Sequence, residues 1–253
     1  MDETKKITIT TSWDDGHNLD LRVLELLKKY NLKGTFYIPR QCQFRSLTDE
    51  EIVKISQTQE VGAHTTNHRY LKTVDSREAE LEVLESKKWL EGLVNQPVRM
   101  FCYPGGQFND EIKKKVKESG FDGARTTEEF VISYPEDNFV WGTTIHIYPF
   151  PFRKRDAAHY HWSRFLAQPL GKKIFKMIGC RLPLKAYFNW SNLAIGLFEY
   201  TVKRGQIFHL WGHSWEIERY GMWEELERVL KHISQRKDCL YLTNGQILKK
   251  NQN

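Results

Sequence analysis

The chain has 253 residues, of which 40% are hydrophobic and 28% charged, as in ordinary globular proteins and unlike disordered or fibrous chains. No stretch approaches the roughly 18 to 20 consecutive apolar residues of a membrane span. The first ten residues lack the basic-then-apolar pattern of a secretory signal. The sequence therefore predicts a cytoplasmic protein. Its four cysteines are widely spaced with no CxxC pair, which excludes a zinc knuckle or a disulfide framework.

The formal charge of +6 belongs to one segment of the chain. Residues 152–190 contain nine Lys or Arg and one acid, Asp156, so they carry +8 and the remainder sums to −2. This distribution argues against nucleic acid as a partner. The segment is aromatic-rich and interrupted by Pro169 and Pro183, and we interpret it as an insertion at about 152–190. It either packs its own aromatic residues in solvent or grips substrate or a membrane surface peripherally.

Short β-branched or aromatic runs alternate with amphipathic stretches, the pattern of strands joined by crossover helices. The predicted elements are, in chain order, a strand at 7–11, a helix at 19–30, a strand at 34–38, a helix beginning at 48, a strand at 60–64, a helix from about 75 to 93, a strand at 98–103, a helix at 109–119, a strand ending at 125, and strands at 139–143 and 206–211. Two of these helices open with the spacing of a capping box, Thr48 with Glu51 and Asp75 with Glu78. The prediction is an α/β fold, a distorted parallel barrel of about seven strands, with residues 1–253 as a single domain.

Polar residues follow two of the predicted strands at their C-terminal ends, where parallel barrels form active sites. The first strand runs into Asp14 and Asp15, although Asp-Gly by itself is more often only a turn. The third strand ends in His64, with His68 four residues on. A spacing of i and i+4 is used by metal-binding histidine pairs on a helical turn, although chance pairs on solvated helices are commoner.

One carboxylate and two imidazoles form a sound ligand set for zinc or another divalent ion. Adjacent carboxylates repel unless a cation neutralises one of them. The division that follows is that Asp15, His64 and His68 bind the metal, while Asp14 takes a proton from the attacking water.

These motifs resemble those of the polysaccharide deacetylases with the NodB homology domain, carbohydrate esterase family 4. The family's TFDDG motif is similar to TSWDDG at residues 11–16, its H[ST]xxH motif matches residues 64–68, and its FxYPxG motif matches residues 101–106. The resemblance runs from about residue 6 to 145 and resumes near 195. It implies that Asp14 is the general base and that Asp15, His64 and His68 are the metal ligands.

The resemblance also implies roles for residues of the third motif. A backbone N–H near Gly105 would stabilise the oxyanion, and Tyr103 would border the substrate. Many family members carry an Arg that holds the base where this chain has Cys102. Arg125 is the candidate to replace that Arg and Arg99 the weaker one, with an ordinary surface ion pair as the alternative for both.

By the same resemblance, a histidine after a late strand protonates the leaving amine. His213 follows the strand at 206–211 and should reach the rim, whereas His209 lies within it and is expected to be a packed histidine. Trp141 resembles the tryptophan that walls the acetyl pocket, or it is a core residue.

The sequence thus predicts a metal-dependent N-deacetylase that acts on an N-acetylated amino sugar in a polysaccharide or in its nucleotide- or lipid-linked precursor. Its cofactor would be one divalent ion, zinc first, with Co, Mn, Ni or Fe as alternatives. Three other functions stay open. They are a non-haem iron oxygenase, a related hydrolase of cyclic amides or imides, and a catalytically weak glycan-binding barrel. Neither the glycan nor the oligomeric state can be predicted.

Overall fold

The structure is a computed structural model that describes residues 6–43, 46–161 and 169–250. Within these residues the strands are β1 (Ile7–Asp14), β2 (Gly34–Ile38), β3 (Glu60–Ala63), β4 (Met100–Cys102), β5 (Gly123–Arg125), β6 (Ile145–His146), β7 (Ile207–Gly212) and β8 (Cys239–Tyr241). The α-helices are α1 (Asp20–Lys29), α2 (Asp49–Ser56), α3 (Ser76–Val94), α4 (Asp110–Glu118), α5 (Pro169–Gly179), α6 (Trp190–Arg204), α7 (Ser214–Tyr220), α8 (Trp223–Ile233) and α9 (Asn244–Lys250).

The strands form one parallel sheet in the order β5, β4, β3, β2, β1, β7, β6, with β8 paired to residues 7–9 of β1. The segment between β5 and β6 joins the two ends of this row. The backbone of Trp141 bonds to Ala124 and Thr126, and Thr144 N donates to the carbonyl of His209 in β7 at 2.9 Å. The sheet therefore closes into a distorted barrel, and the predicted fold class is confirmed.

Alternate residues of β1 face the barrel interior. Thr10 and Ser12 each hydrogen-bond at 2.8 Å to the side chain of Asn244, the first residue of α9. Ile9 and Trp13 belong instead to the larger apolar core that includes the residues of the surrounding helices. Because the strand pleat has a period of two, Asp14 continues the interior row at the C-terminal end of the strand.

Helix α9 fills the lower part of this interior. The Asn244 amide also donates to the Tyr37 hydroxyl at 2.8 Å. Gly62 leaves space for the Tyr37 ring, since a Cβ there would lie 2.6 Å from it. The inner apolar cluster consists of Tyr37, Met100, Cys102, Trp141, Ile207, Ile247 and Leu248. With the barrel closed from below, the polar side chains of the strands are accessible from the C-terminal rim.

Most predicted elements are confirmed, and the differences have local causes. At α2 both bonds of the Thr48–Glu51 capping box form. At α3 the Asp75 carboxylate accepts from the Glu78 N–H, one half of the predicted reciprocal pair. The predicted strand at 139–143 is wrong: Trp141 makes an isolated bridge, and β6 begins at Ile145. The Thr143 N–H instead donates to the Glu128 carbonyl, and the Thr143 carbonyl accepts from the Val131 N–H.

The basic segment predicted as an insertion connects β6 to α6. Its described residues include α5 and a 3-10 turn at Leu184–Tyr187, whereas Arg164 lies outside the described residues. Leu182 and Ala186 are buried and pack near Gly196 of α6, so the inner side of the segment rests on the barrel. Across the described ranges, the helices are all too short or too polar to cross a membrane.

Candidate active site

Asp14 and Arg125 form a buried ion pair at the rim of the barrel. Asp14 ends β1 and Arg125 ends β5, and the two side chains are 3% and 0% exposed. The Arg125 guanidinium donates to Asp14 Oδ2. Burial alone would lower the pKa of Arg125, but the charge of Asp14 more than offsets this and holds the pKa above its usual value. Asp14 Oδ1 accepts no hydrogen bond from the described residues, so one carboxylate oxygen is held and the other is left available.

Cys102 lies beside this pair rather than replacing the missing motif arginine. Its Sγ is 2.9 Å from the Arg125 guanidinium and 3.7 Å from Asp14 Oδ2. Burial raises the pKa of the Cys102 thiol well above its ordinary value, so the sulfur stays protonated. Arg99, the weaker candidate, instead pairs with Asp122 near the surface. Arg125 is therefore the arginine that the fold brings to Asp14.

Asp15 lies one residue beyond β1, where a φ of 78° turns the chain. Its Oδ1 atom is 3.1 Å from His68 Nε2 and 3.6 Å from His64 Nε2. Its Oδ2 atom accepts a hydrogen bond from the Trp215 indole at 2.9 Å. Burial would raise the pKa of this carboxyl, but the close approach of the two imidazoles outweighs burial and lowers it. Asp15 is therefore a carboxylate directed at two imidazoles.

The histidine pair lies on an irregular loop, so the predicted helical turn is wrong. Thr65 and His68 have φ values of 66° and 52°, which interrupt any helix between His64 and His68. The two rings nevertheless approach to 4.9 Å between centroids. The loop is held from α3, where the Glu82 carboxylate accepts from the Asn67 backbone and side-chain amides at 2.8 and 2.6 Å.

The Asp15, His64 and His68 donors fit a divalent metal. Their ligand atoms lie within 4.8 Å of one another. His64 Nδ1 is 2.8 Å from the Cys102 carbonyl oxygen, which must accept, so Nδ1 carries the proton and Nε2 offers a lone pair. Asp15 Oδ1 has no well-formed hydrogen bond to satisfy it. An alternative triple of Asp14, His64 and Cys102 is a poorer ligand set, because the Arg125 cation already occupies Asp14 and the cysteine keeps its proton.

His213 follows β7 and completes the cluster from the opposite side. Its Nε2 lies 3.8 Å from Asp15 Oδ2, and its Nδ1 lies 2.6 Å from Glu216 Oε2. His146 Nε2 is 3.3 Å from the same Glu216 oxygen. Burial would lower the pKa of His213, but the hydrogen bond and charge of Glu216 outweigh burial and raise it to about 9. His213 is thereby held as a proton donor beside Asp15.

His209 lies four residues earlier and one level deeper. It is 1% exposed, and its Nε2 is 2.6 Å from the Ser12 hydroxyl. Burial, reinforced by the positive charge of Arg125, lowers the pKa of His209 well below its ordinary value. A neutral ring packed against Trp141, with ring centroids 5.4 Å apart, fits the packed histidine that the sequence predicts.

The other predicted site residues are Tyr103, Gly105 and Trp141. The Tyr103 hydroxyl donates to the Phe139 carbonyl at 3.2 Å and its ring stacks on Phe108, so this side chain is turned away from the cluster. Gly105, at φ 60°, lies beneath the half-exposed ring of Tyr70, which a Cβ would approach to 2.7 Å. Trp141 is fully buried at the level of Arg125, to which it is bridged.

Residues 1–124 match the family model described as polysaccharide deacetylase. Over these residues, just under half of its length, the chain belongs to the polysaccharide deacetylase family. It is 33% identical over 117 residues to a peptidoglycan-N-acetylglucosamine deacetylase of Bacillus cereus, across 45% of this chain and 53% of the relative. The chain spans about half the length of the curated relatives it matches.

Solved structures share the fold over nearly the whole chain. A Mycobacterium smegmatis protein assigned to the polysaccharide deacetylases aligns with a TM-score of 0.65 and 15% identity, across 97% of this chain and 90% of that one. A carbohydrate esterase family 4 pseudoenzyme from Bacillus anthracis aligns with a TM-score of 0.55 and 17% identity, across 94% and 63%. At these identities the likeness concerns the barrel alone, and this family member must be judged by its own side chains.

Two side chains of the cluster, His146 and Asp20, were missed in the sequence, and Trp215 and Glu216 were considered only as possible sugar contacts. Glu216 follows His213 by three residues in the first turn of a helix, a spacing that could have indicated a contact. His146 and Trp215 come from a short strand and an unpredicted helix. Asp20, the first residue of α1, is fully buried, and burial reinforced by the charges of Asp15 and Asp14 raises its pKa well above the ordinary value.

Replacing Arg125 should destabilise the folded protein, because it leaves a buried carboxylate without a partner. We expect Arg125→Gln to lower the free energy of unfolding by about 3 to 5 kcal/mol, because Asp14 would remain buried without its cation. The matched control is Arg99→Gln, whose pair with Asp122 has both side chains 39% exposed and should cost less than about 1 kcal/mol. The double variant Asp14→Asn/Arg125→Gln should recover part of the loss. Urea denaturation of the parent and the three variants measures the free energies of unfolding. Equal losses for Arg125→Gln and Arg99→Gln would contradict the assignment of Arg125 as the buried partner of Asp14.

Proposed function

We propose that this protein is a metal-dependent N-deacetylase that releases acetate from an N-acetylated amino sugar of a polysaccharide or of its precursor. The observation that carries the proposal is the convergence of a half-free carboxylate, a three-donor metal-type cluster and a protonated histidine at one end of the barrel. Each of the three has a separate task in hydrolysing an amide, and no simpler structural role requires all of them.

Asp15, His64 and His68 would hold the divalent ion, with zinc the best fit to a set of two imidazoles and one carboxylate. When bound, such an ion polarises a carbonyl and lowers the pKa of water. Trp215 keeps the second oxygen of Asp15 occupied, so Oδ1 remains directed at the two histidines. The Cys102 carbonyl does the same for His64 by holding its Nδ1 proton.

Asp14 acts as the general base. Arg125 donates to Oδ2, which fixes the position of the carboxylate, while Oδ1 is left to accept the proton of the attacking water. His213 acts as the general acid on the far side of Asp15, where Glu216 orients its ring and maintains its proton for the departing amine. The backbone N–H near Gly105 would donate a hydrogen bond to the developing oxyanion.

The same side chains distinguish hydrolysis from two of the rival functions. A catalytically weak glycan-binding barrel has no need to bury Asp14 against Arg125 or to protonate His213 through Glu216. An iron oxygenase can use two histidines and one carboxylate but has no task for the adjacent base. These points favour hydrolysis.

Acetate release tests the proposal directly. After chelation and readdition of Zn, Co, Mn, Ni or Fe, the protein should release acetate from one member of a panel of N-acetylated sugars, free, nucleotide-linked, lipid-linked and in peptidoglycan. Asp14→Asn is the control and should lose about 10² to 10⁴ in rate while still binding zinc, because only the base is removed. Iron-dependent oxygen consumption in place of acetate release would refute the proposal.

The metal site can be tested without turnover. We expect His68→Ala to weaken zinc binding by more than about 100-fold, because a direct ligand should matter more than the outer partners whose loss costs 10 to 100-fold. Competition with a chromophoric chelator measures the affinity. The control is His232→Ala, a surface histidine paired with Glu199 at 2.8 Å, which should bind as the parent does. An unchanged affinity in His68→Ala would refute the ligand set.

The two late histidines should behave differently. His213→Asn should fold normally and lose about 10² to 10⁴ in kcat, since the acid is gone. His209→Asn should mainly lower the free energy of unfolding, because it disturbs the buried bond to Ser12. Steady-state kinetics and urea denaturation of each variant decide the matter. A folded but inactive His209→Asn enzyme, or a His213→Asn enzyme of parental rate, would reverse the roles.

A further inference from the structure

The most exposed large apolar side chains of the described residues lie together in one short segment. Their exposed fractions are 83% for Phe175, 58% for Ile178, 75% for Leu184 and 64% for Phe188. The other large apolar residues that stand out, Tyr70, Leu81 and Tyr160, reach at most 49%. We call residues 171–188 the apolar ridge. Several strongly exposed apolar side chains on one short segment are more typical of an interaction site than of an ordinary protein surface.

The apolar ridge is fixed to the barrel by its other side. Met177, Leu182 and Ala186 are buried, so α5 and the following turn are anchored by one face while Phe175 and Ile178, three residues apart, project from the other. The exposed residues therefore add little to the core, and their exposure is not a failure of packing. The ridge is presented outward by a folded support.

The ridge itself carries charge of one sign. Residues 171–188 contain five Lys or Arg and no acidic residue. Lys173 is paired with Glu129 of the barrel at 2.9 Å, which secures α5. Arg181 and Lys185 are exposed between the apolar residues. The surface thus interleaves apolar side chains with exposed cations.

We propose that the apolar ridge docks on an anionic lipid bilayer. Protein interfaces are depleted in Lys, whereas segments that lie in the membrane interface combine Lys and Arg with Phe and Leu. The acidic leaflet attracts the cations, and the apolar side chains enter the headgroup region. The chain would bind peripherally, consistent with the short helices of the described residues.

The ridge segment connects two strands that carry residues of the site. It leaves the barrel after β6, whose last residue is His146, and returns at the start of α6, before β7 leads to His213. Between these connections, residues 179–185 lie beside the second half of α6, where they share a pocket with Glu199 and Arg204. The docking is therefore proposed for the side of the barrel and does not depend on catalysis.

Vesicle flotation tests the inference with the full chain. The parent should float with vesicles of 70% phosphatidylcholine and 30% phosphatidylglycerol, not with pure phosphatidylcholine, and less at high salt. Phe175→Gln/Ile178→Gln should weaken partitioning by about tenfold or more, since two apolar anchors are removed. Lys185→Gln should weaken it by about fivefold, since one cation near the surface is lost.

Matched controls separate the ridge from general surface effects. Leu81→Gln removes an exposed apolar side chain of α3, and Lys114→Gln an exposed cation of α4, and both should partition as the parent does. Circular dichroism checks that the ridge variants fold. The proposal would be overturned if the parent protein remained in the unbound fraction. It would also be overturned if the ridge variants floated as well as the parent. Self-association that the same substitutions abolish, without flotation of the parent, would assign the ridge to a second copy of the chain.

Discussion

The alternation of side chains along the strands decides which strand residues of this barrel reach the candidate site. Successive residues of a strand face opposite sides of the sheet, so one residue more or less before a strand end moves a side chain from the interior to the outer core. Along β1 the interior row runs through Thr10 and Ser12 to Asp14, and along β7 it runs through His209 towards His213. Tyr103 shows the other parity, because its ring joins the outer core next to Phe101 while Cys102 points inward.

Hydrogen bonds and one buried ion pair stabilise the polar side chains of the interior row. Asn244 bonds to three side chains below the site, and Ser12 passes this network on to His209. Above it, Asp14 is neutralised by Arg125, whose guanidinium lies 4.8 Å from the centre of the Trp211 ring. A buried carboxylate without such a cation would cost several kcal/mol. The chain therefore supplies from β5 the arginine that many family members carry in β4, and Cys102 leaves the space for it.

The sequence predicted the barrel, and it named most of the side chains that meet in the candidate cluster, because both leave local signals. Hydrophobic periodicity and capping pairs such as Thr48 with Glu51 depend on neighbours in the chain, as does the position of Asp14 at a strand end. The histidine pair was predicted from a helical spacing, yet Glu82 of α3 shapes the loop that joins the rings. Glu82 reaches this loop through tertiary packing, as Glu216 and His146 reach His213. The spacing of residues in the sequence does not encode such contacts.

Strand β1 also sets a condition on how the chain folds. Its neighbour β2, and β3 beyond it, follow closely in sequence, but β7, β8 and Asn244 arrive about 200 residues later. Until they do, one side of β1 is an unpaired edge and the polar interior of Thr10 and Ser12 has no partner. Contacts of such sequence separation slow folding, because the loop must close before they form. Chain synthesis would thus expose a partly built sheet for most of its duration, a state in which edge pairing between nascent chains competes with completion of the barrel.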